Sequence, residues 1–328
     1  MKYIISLLSL AVLLPTVVSA HTRWFAETEL EPYAFTEQTF LFLGVWTLIV
    51  VLVVAIGTFF EYKGWFQFSF LNPTKTHAFE RAASTFVMVS GTFFIIAGTH
   101  MYLFSPNLST DFGIPVWMVV TQILVGLAFL LGIASRVAGI VLGLLWVSLF
   151  FYAGPVSALE DIWVASVAAF VTLTGNQYFS ILSFSFLRKI VAPYKHYALS
   201  LLRLGTGVTL MILGLSEKIM APEFGLNFLA EYHWNFMQLL GFNYSNYLFT
   251  ISAGSVEFLF GLVFVLGIVT RLNALVVAIV FSIPLFILGP IELAGHLPHF
   301  AAIVLLLLFG NGGHFLLFQP KRRSLKRT

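Results

Sequence analysis

The chain contains no cysteine. That excludes disulfides, thiol nucleophiles, dithiol redox relays and thiolate metal sites in one step. Charge is scarce too: Asp, Glu, Lys and Arg make up 9% of the 328 residues, against about 25% in an average soluble domain. Several catalytic signatures are missing from the sequence: a Walker A loop, a G-x-G-x-x-G turn, an H-E-x-x-H pair and a G-x-S-x-G elbow. Nucleotide-driven transport and hydrolase chemistry therefore have no basis here. No ladder of paired histidines crosses two mid-membrane segments, so haem ligation is not indicated either.

What is present is apolar. Hydrophobic residues account for 59% of the chain and the mean hydropathy is +0.95. A bilayer is the solvent for such a composition. The pI of about 9.1 does not point to nucleic acid, because the basic residues fall in connections and in the tail, where membrane topology accounts for them.

Residues 1–20 have one Lys, an apolar run and then Val18-Ser19-Ala20, the pattern of a secretory signal peptide. Cleavage after Ala20 makes His21 the first residue; an uncleaved signal anchor is the alternative. Nine apolar segments follow, at about 38–60, 82–104, 115–134, 137–154, 161–181, 197–219, 249–269, 273–289 and 297–316. In lipid each must be a helix, since isolated strands leave backbone groups unpaired. With 21–37 outside, Lys63, Lys75, Arg81, Arg136, Arg188, Lys189, Lys195, Arg271 and the basic tail all fall on the cytoplasmic side. The positive-inside rule thus predicts a multi-pass inner-membrane protein with its mature N-terminus periplasmic and its C-terminus cytoplasmic.

The chain also repeats itself. The segment LVGLAFLLGIASRVAGI from Leu124 returns as LFGLVFVLGIVTRLNAL from Leu259, at an offset of 135 that holds without a gap from 124–176 to 259–311. Gly126, Gly132, Arg136, Gly154, Pro155, Gly175 and Asn176 fall on Gly261, Gly267, Arg271, Gly289, Pro290, Gly310 and Asn311. Shared Gly, Pro, Arg and Asn do not arise from apolar composition alone, so the expectation is two parallel four-helix units. The fold class expected is an all-α polytopic membrane bundle with nine transmembrane helices after a signal peptide. Its divisions are the signal peptide 1–20; an outer segment, first helix and cytoplasmic loop, 21–81; a first unit, 82–195; a second unit, 196–318; and a basic tail, 319–328.

The second unit resembles the DoxX family of small four-helix membrane proteins, which includes DoxD-type members. The resemblance rests on a first helix containing Arg203 and ending Gly214-Leu215-Ser216-Glu217-Lys218, and on a helix that begins near Glu257 and ends Leu266-Gly267-Ile268-Val269-Thr270-Arg271. The first unit departs from it: Gln122 stands where the second unit has Glu257, and His100-Met101 where it has Ser216-Glu217. The resemblance covers about 235 residues and implies the fold more firmly than an activity. Some DoxD-type members are associated with electron transfer from thiosulfate to quinone, so the resemblance implies a redox-associated, quinone-linked membrane subunit working with a soluble or membrane redox partner.

Ionisable residues in a span cost roughly 2.5–3.5 kcal/mol at mid-helix and so require a reason. Glu217, Lys218 and Glu257 fall near the outer leaflet. They are candidates for proton relay or for binding a quinone head group; pairing of Glu257 with Lys218 as a structural contact is the alternative. His296 and His299 form an H-x-x-H pair next to Pro298, and with His21 they could make an all-nitrogen site for copper or zinc; two interfacial residues at a helix start are the plainer reading. The aromatic segment 221–248 reads as an interfacial belt, with Phe228, Tyr232, Phe236 and Leu239 on one helical face, or as a lid over an outward-facing pocket. Three function classes stay open: the quinone-linked subunit, a copper- or zinc-handling protein, and a non-catalytic scaffold or small-solute transporter. Catalysis itself is undetermined, and no broken span marks a transport site.

Overall fold

A computed structural model of the chain describes residues 35–289 and 295–317. The signal segment, His21, Glu292 and the basic tail lie outside the described residues. Helices dominate, and the described residues hold isolated bridges but no strand.

The helices run in chain order as α1 Glu37–Lys63, α2 Ala78–Thr99, α3 Val116–Leu131, α4 Ser135–Tyr152, α5 Gly154–Glu160, α6 Ile162–Thr174 and α7 Ser185–Val191. They continue as α8 Ala198–Leu213, α9 Pro222–Tyr232, α10 Phe236–Leu239, α11 Asn246–Leu266, α12 Thr270–Ser282, α13 Leu285–Leu288 and α14 Leu297–Phe309. Among the described residues five stretches are long and apolar enough to cross a membrane: α1, α2, α4, α11 and the continuous run Ser185–Ile219. The bent pair α5–α6 and the shorter apolar helices α3, α12 and α14 occupy the other segments expected to span. The chain is an all-α, multi-pass membrane protein.

Among the described residues one helix pair, α5–α6, is sharply bent, the geometry of a broken span or a re-entrant loop, and the hydropathy pattern does not reveal it. Gly154-Pro155 restarts the chain as α5, and α5 meets α6 at 55°. Pro lacks an N–H and suits a first helical turn, so it starts a new helix more readily than it continues an old one.

Close packing follows from small residues. A Cβ on Gly91 of α2 would come 2.6 Å from Gly126 O of α3, and one on Gly207 of α8 would come 2.7 Å from Gly261 O of α11. No side chain fits there, so the backbones touch, as membrane helices do where dispersion and not the hydrophobic effect drives association. Across the middle, α6 packs on α8 while α14 packs on α2. Phe86, Phe93, Phe94, Phe129 and Phe170 fill the centre, all buried.

Arginines close one end of the bundle. Arg203 is completely buried in α8. It donates to the carbonyls of Asn311 (3.1 Å), Val265 (3.0 Å), His314 (3.0 Å) and Phe315 (2.8 Å), and also to Phe264 O. These are carbonyls left over where α11 ends and beyond α14. Gly267 ends α11 at φ 70°; a Cβ there would lie 2.6 Å from Arg203 Nη1, so both conformation and space require glycine.

Helix α1 is the most lipid-facing element, with 6% of its spanning window buried. It is tied down near its two ends. Thr39 Oγ1 shares a 2.8 Å hydrogen bond with Tyr247 OH, and the buried Glu61 carboxylate accepts from Val269 N at 2.8 Å.

Candidate functional site

Toward the other end of α8 from Arg203 lies a cavity of about 560 Å³, within the usual range for small-molecule sites of roughly 300–1,000 Å³. Its walls come from α1, α8, α11 and α12, from the start of α14 and from the aromatic segment. Aromatic side chains dominate: Trp46, Phe228, Trp234, Phe236, Tyr244 and Phe260 among them.

Four residues singled out from sequence meet on this cavity: Lys218, Glu257, His296 and His299. Lys218 reaches it because α8 does not end as an α-helix. Gly214–Ile219 is a π-helical turn, which widens the spiral by one residue and is frequent at functional sites. A Cβ on Gly214 would come 2.6 Å from Gly254 O, so this turn lies directly on α11. Lys218 Nζ there contacts Glu257 Oε2 at 2.6 Å, with both side chains largely withdrawn from solvent. Glu217, the neighbouring candidate, is buried and acts electrostatically on Lys218, but it does not line the cavity.

His296 and His299 stand at the start of α14 with ring centroids 5.9 Å apart. His299 is 7% exposed, and its Nδ1 is buried with no hydrogen-bond partner, which is uncommon for a buried polar atom. Its ring packs 4.9 Å from that of Trp163 in α6. Trp163 is fixed in turn: its Nε1 donates to Asp161 Oδ1 at 3.0 Å, and Ser105 Oγ donates to Asp161 Oδ2 at 3.2 Å. This support was not identified from sequence. Its one signal is that Asp161, an ionisable residue in an apolar segment, lies 135 residues before His296. Among the described residues no group of three His, Cys, Asp or Glu is arranged to hold a metal ion, and His21 lies outside them.

The aromatic segment does not form one continuous helical face. His233 takes a left-handed conformation at φ 51° and ends α9, and Asn235 caps α10, its side chain accepting from Gln238 N. Phe228 and Tyr232 therefore stack on one helix with centroids 4.9 Å apart, whereas Phe236 and Leu239 sit on the next. The segment both lines the cavity, through Phe228, Trp234 and Phe236, and leaves Leu239, Leu240 and Phe242 exposed.

Gln122, 135 residues before Glu257, is completely buried. Its amide donates to Phe94 O (3.2 Å) and Tyr102 O (3.1 Å), and its Oε1 accepts from Phe104 N (2.9 Å). These bonds pin a loop whose Leu103, Phe104 and Leu108 are buried.

The fold is that of a polytopic membrane protein, with a large aromatic-lined cavity walled mainly by residues 209–299. A model of the DoxX family matches residues 198–290, the stretch that carries Lys218, Glu257 and much of the cavity wall, so this part of the chain is similar to that family. No curated protein and no solved structure matches the chain.

Proposed function

We propose that the second unit binds a quinone and that the chain is a redox-associated membrane subunit. One observation carries this reading: an aromatic-walled cavity gathers Lys218, Glu257, His296 and His299 around one space. A quinone head is a planar apolar ring with two carbonyl acceptors. Aromatic walls suit its faces. The Lys218 ammonium and an imidazole N–H supply donors to its carbonyl oxygens. Reduction to the hydroquinone takes up two electrons and two protons. The electrons would come from a partner redox protein, and the Lys218–Glu257 pair and the histidines hold protons beside the oxygens that need them. We further read residues 82–195 and 196–318 as two units of one architecture, supported by the matching glycine contacts of α2–α3 and α8–α11. In this reading the protein lies in the inner membrane with the cavity end outward.

The test is titration of purified protein with a short-chain benzoquinone, read by quenching of Trp46 and Trp234. Saturable quenching that weakens at least tenfold in Lys218→Met supports the proposal. Quenching that is unsaturable, or identical in Lys218→Met, overturns it.

A second reading rests on the unpartnered Nδ1 of His299. With His296, and with His21 supplying an amine and an imidazole, it would make a nitrogen site for copper or zinc. Metal analysis of membrane-purified protein, with His296→Ala/His299→Ala as control, tests it; stoichiometric metal lost in the control would favour this reading.

A further inference from the structure

A second, much smaller cavity of about 60 Å³ lies at the arginine end of the first unit, bounded among others by Ser135, Arg136, Gln177, Ser180, Ser183 and Arg188. We propose that it is a binding site for a tetrahedral oxyanion of the phosphate class.

Three independent features converge there. Arg136 is 7% exposed. Its Nη2 donates to Thr174 O at 2.8 Å, yet its Nε is buried with no partner. Arg188 is near enough to act on it electrostatically, and no carboxylate lines the cavity. Arg136 is buried and Arg188 exposed, so one cavity has a guanidinium at its base and another at its mouth, an arrangement that a bridging anion would hold through charge-assisted hydrogen bonds. The cavity also lies at the N-terminus of α4, an 18-residue helix with no side-chain cap on its first turn. The positive end of the helix dipole and its free N–H groups favour an anion there.

The second unit provides the contrast. Arg271, the counterpart of Arg136 at the 135-residue offset, donates to Phe68 O (2.9 Å) and Leu308 O (2.8 Å), and also to Asn72 Oδ1. The loop after α1 thus uses donors that Arg136 keeps unspent.

The space is far too small for a ring and suits a single phosphate group. That group could be free phosphate or the head of an anionic phospholipid. Phe184, Phe186 and Ile190 beside the cavity are exposed, which gives acyl chains a surface to follow.

The experiment is thermal unfolding of the detergent-purified chain in sodium phosphate against sodium chloride at equal ionic strength, paired with native mass spectrometry after incubation with phosphatidic acid. Phosphate is expected to raise the midpoint, and Arg188→Gln, on the exposed side of the site, is expected to weaken the apparent affinity at least tenfold. Arg136→Gln should do the same where it folds. Retained phosphatidic acid that inorganic phosphate displaces identifies a headgroup site; stabilisation by phosphate with no lipid retained identifies a free-anion site. No effect of either probe relative to chloride, or an unchanged response in Arg188→Gln, overturns the proposal.

Discussion

Lys218 Nζ and Glu257 Oε2 are 2.6 Å apart, one on a π-helical turn and the other on the helix packed against it. The contact joins α8 to α11 and at the same time presents a charged pair to the cavity. Neutralising one partner leaves the other charged in a medium of low dielectric, which typically costs about 3–5 kcal/mol. Glu257→Gln and Lys218→Met should each lower the unfolding midpoint, and the double variant should recover most of the loss. Thermal unfolding in one detergent measures all three, and strictly additive losses would show that the two groups do not couple.

The pairing of Glu257 with Lys218 was legible because the two have opposite charge and were expected at one depth; the helix does not begin near Glu257 as expected, since α11 starts at Asn246 and Glu257 stands at its middle. The spans were legible for a similar reason: hydropathy is local. The cavity was not. It depends on α9 and α10 being separate helices, and that break comes from one left-handed residue, His233, with neither Gly nor Pro to mark it. The support behind His299 was hidden too, because Trp163 belongs to the other unit and meets His299 only when α6 and α14 are both in place.

Arg203 should tolerate no substitute. Its fork spans five backbone carbonyls, a geometry that a single ammonium cannot reproduce. Arg203→Lys is expected to be nearly as damaging as Arg203→Met, since each carbonyl left without a donor costs about 1–3 kcal/mol. The yield of monodisperse protein after detergent extraction, with its melting temperature, gives the comparison. A Lys variant indistinguishable from the parent would mean that water satisfies those carbonyls.

Helix contact at Gly261 should be far more sensitive than glycine content in general. Gly261→Val inserts a branched side chain where Gly207 O and the Met211 backbone already touch; overpacking of this kind costs about 1–3 kcal/mol, occasionally more. Gly44→Ala on lipid-facing α1 has no neighbouring atom within 4 Å of the new Cβ and should be neutral or slightly stabilising, through helix propensity. Parallel melting curves of the two variants test the claim that α8 and α11 meet backbone to backbone.

Gln122 and Glu257 occupy positions one repeat offset apart, and the difference between them can be tested by exchange. Gln122 needs both halves of its amide: its nitrogen donates to Phe94 O and Tyr102 O, and its oxygen accepts from Phe104 N. Gln122→Glu turns the donor into an acceptor facing two carbonyls in a fully buried site. A loss of at least about 2 kcal/mol is expected, because two acceptors lose their partner and a charge is buried. The damage should fall on the loop that holds Leu103 and Phe104, seen as faster proteolysis near residues 100–115, while quinone-induced quenching of Trp46 and Trp234 persists in the molecules still folded. Glu257→Gln should behave in the opposite way, leaving that loop protected and weakening the quenching. If both variants lost quenching and loop protection together, the two positions would not have the separate roles that their hydrogen bonds describe.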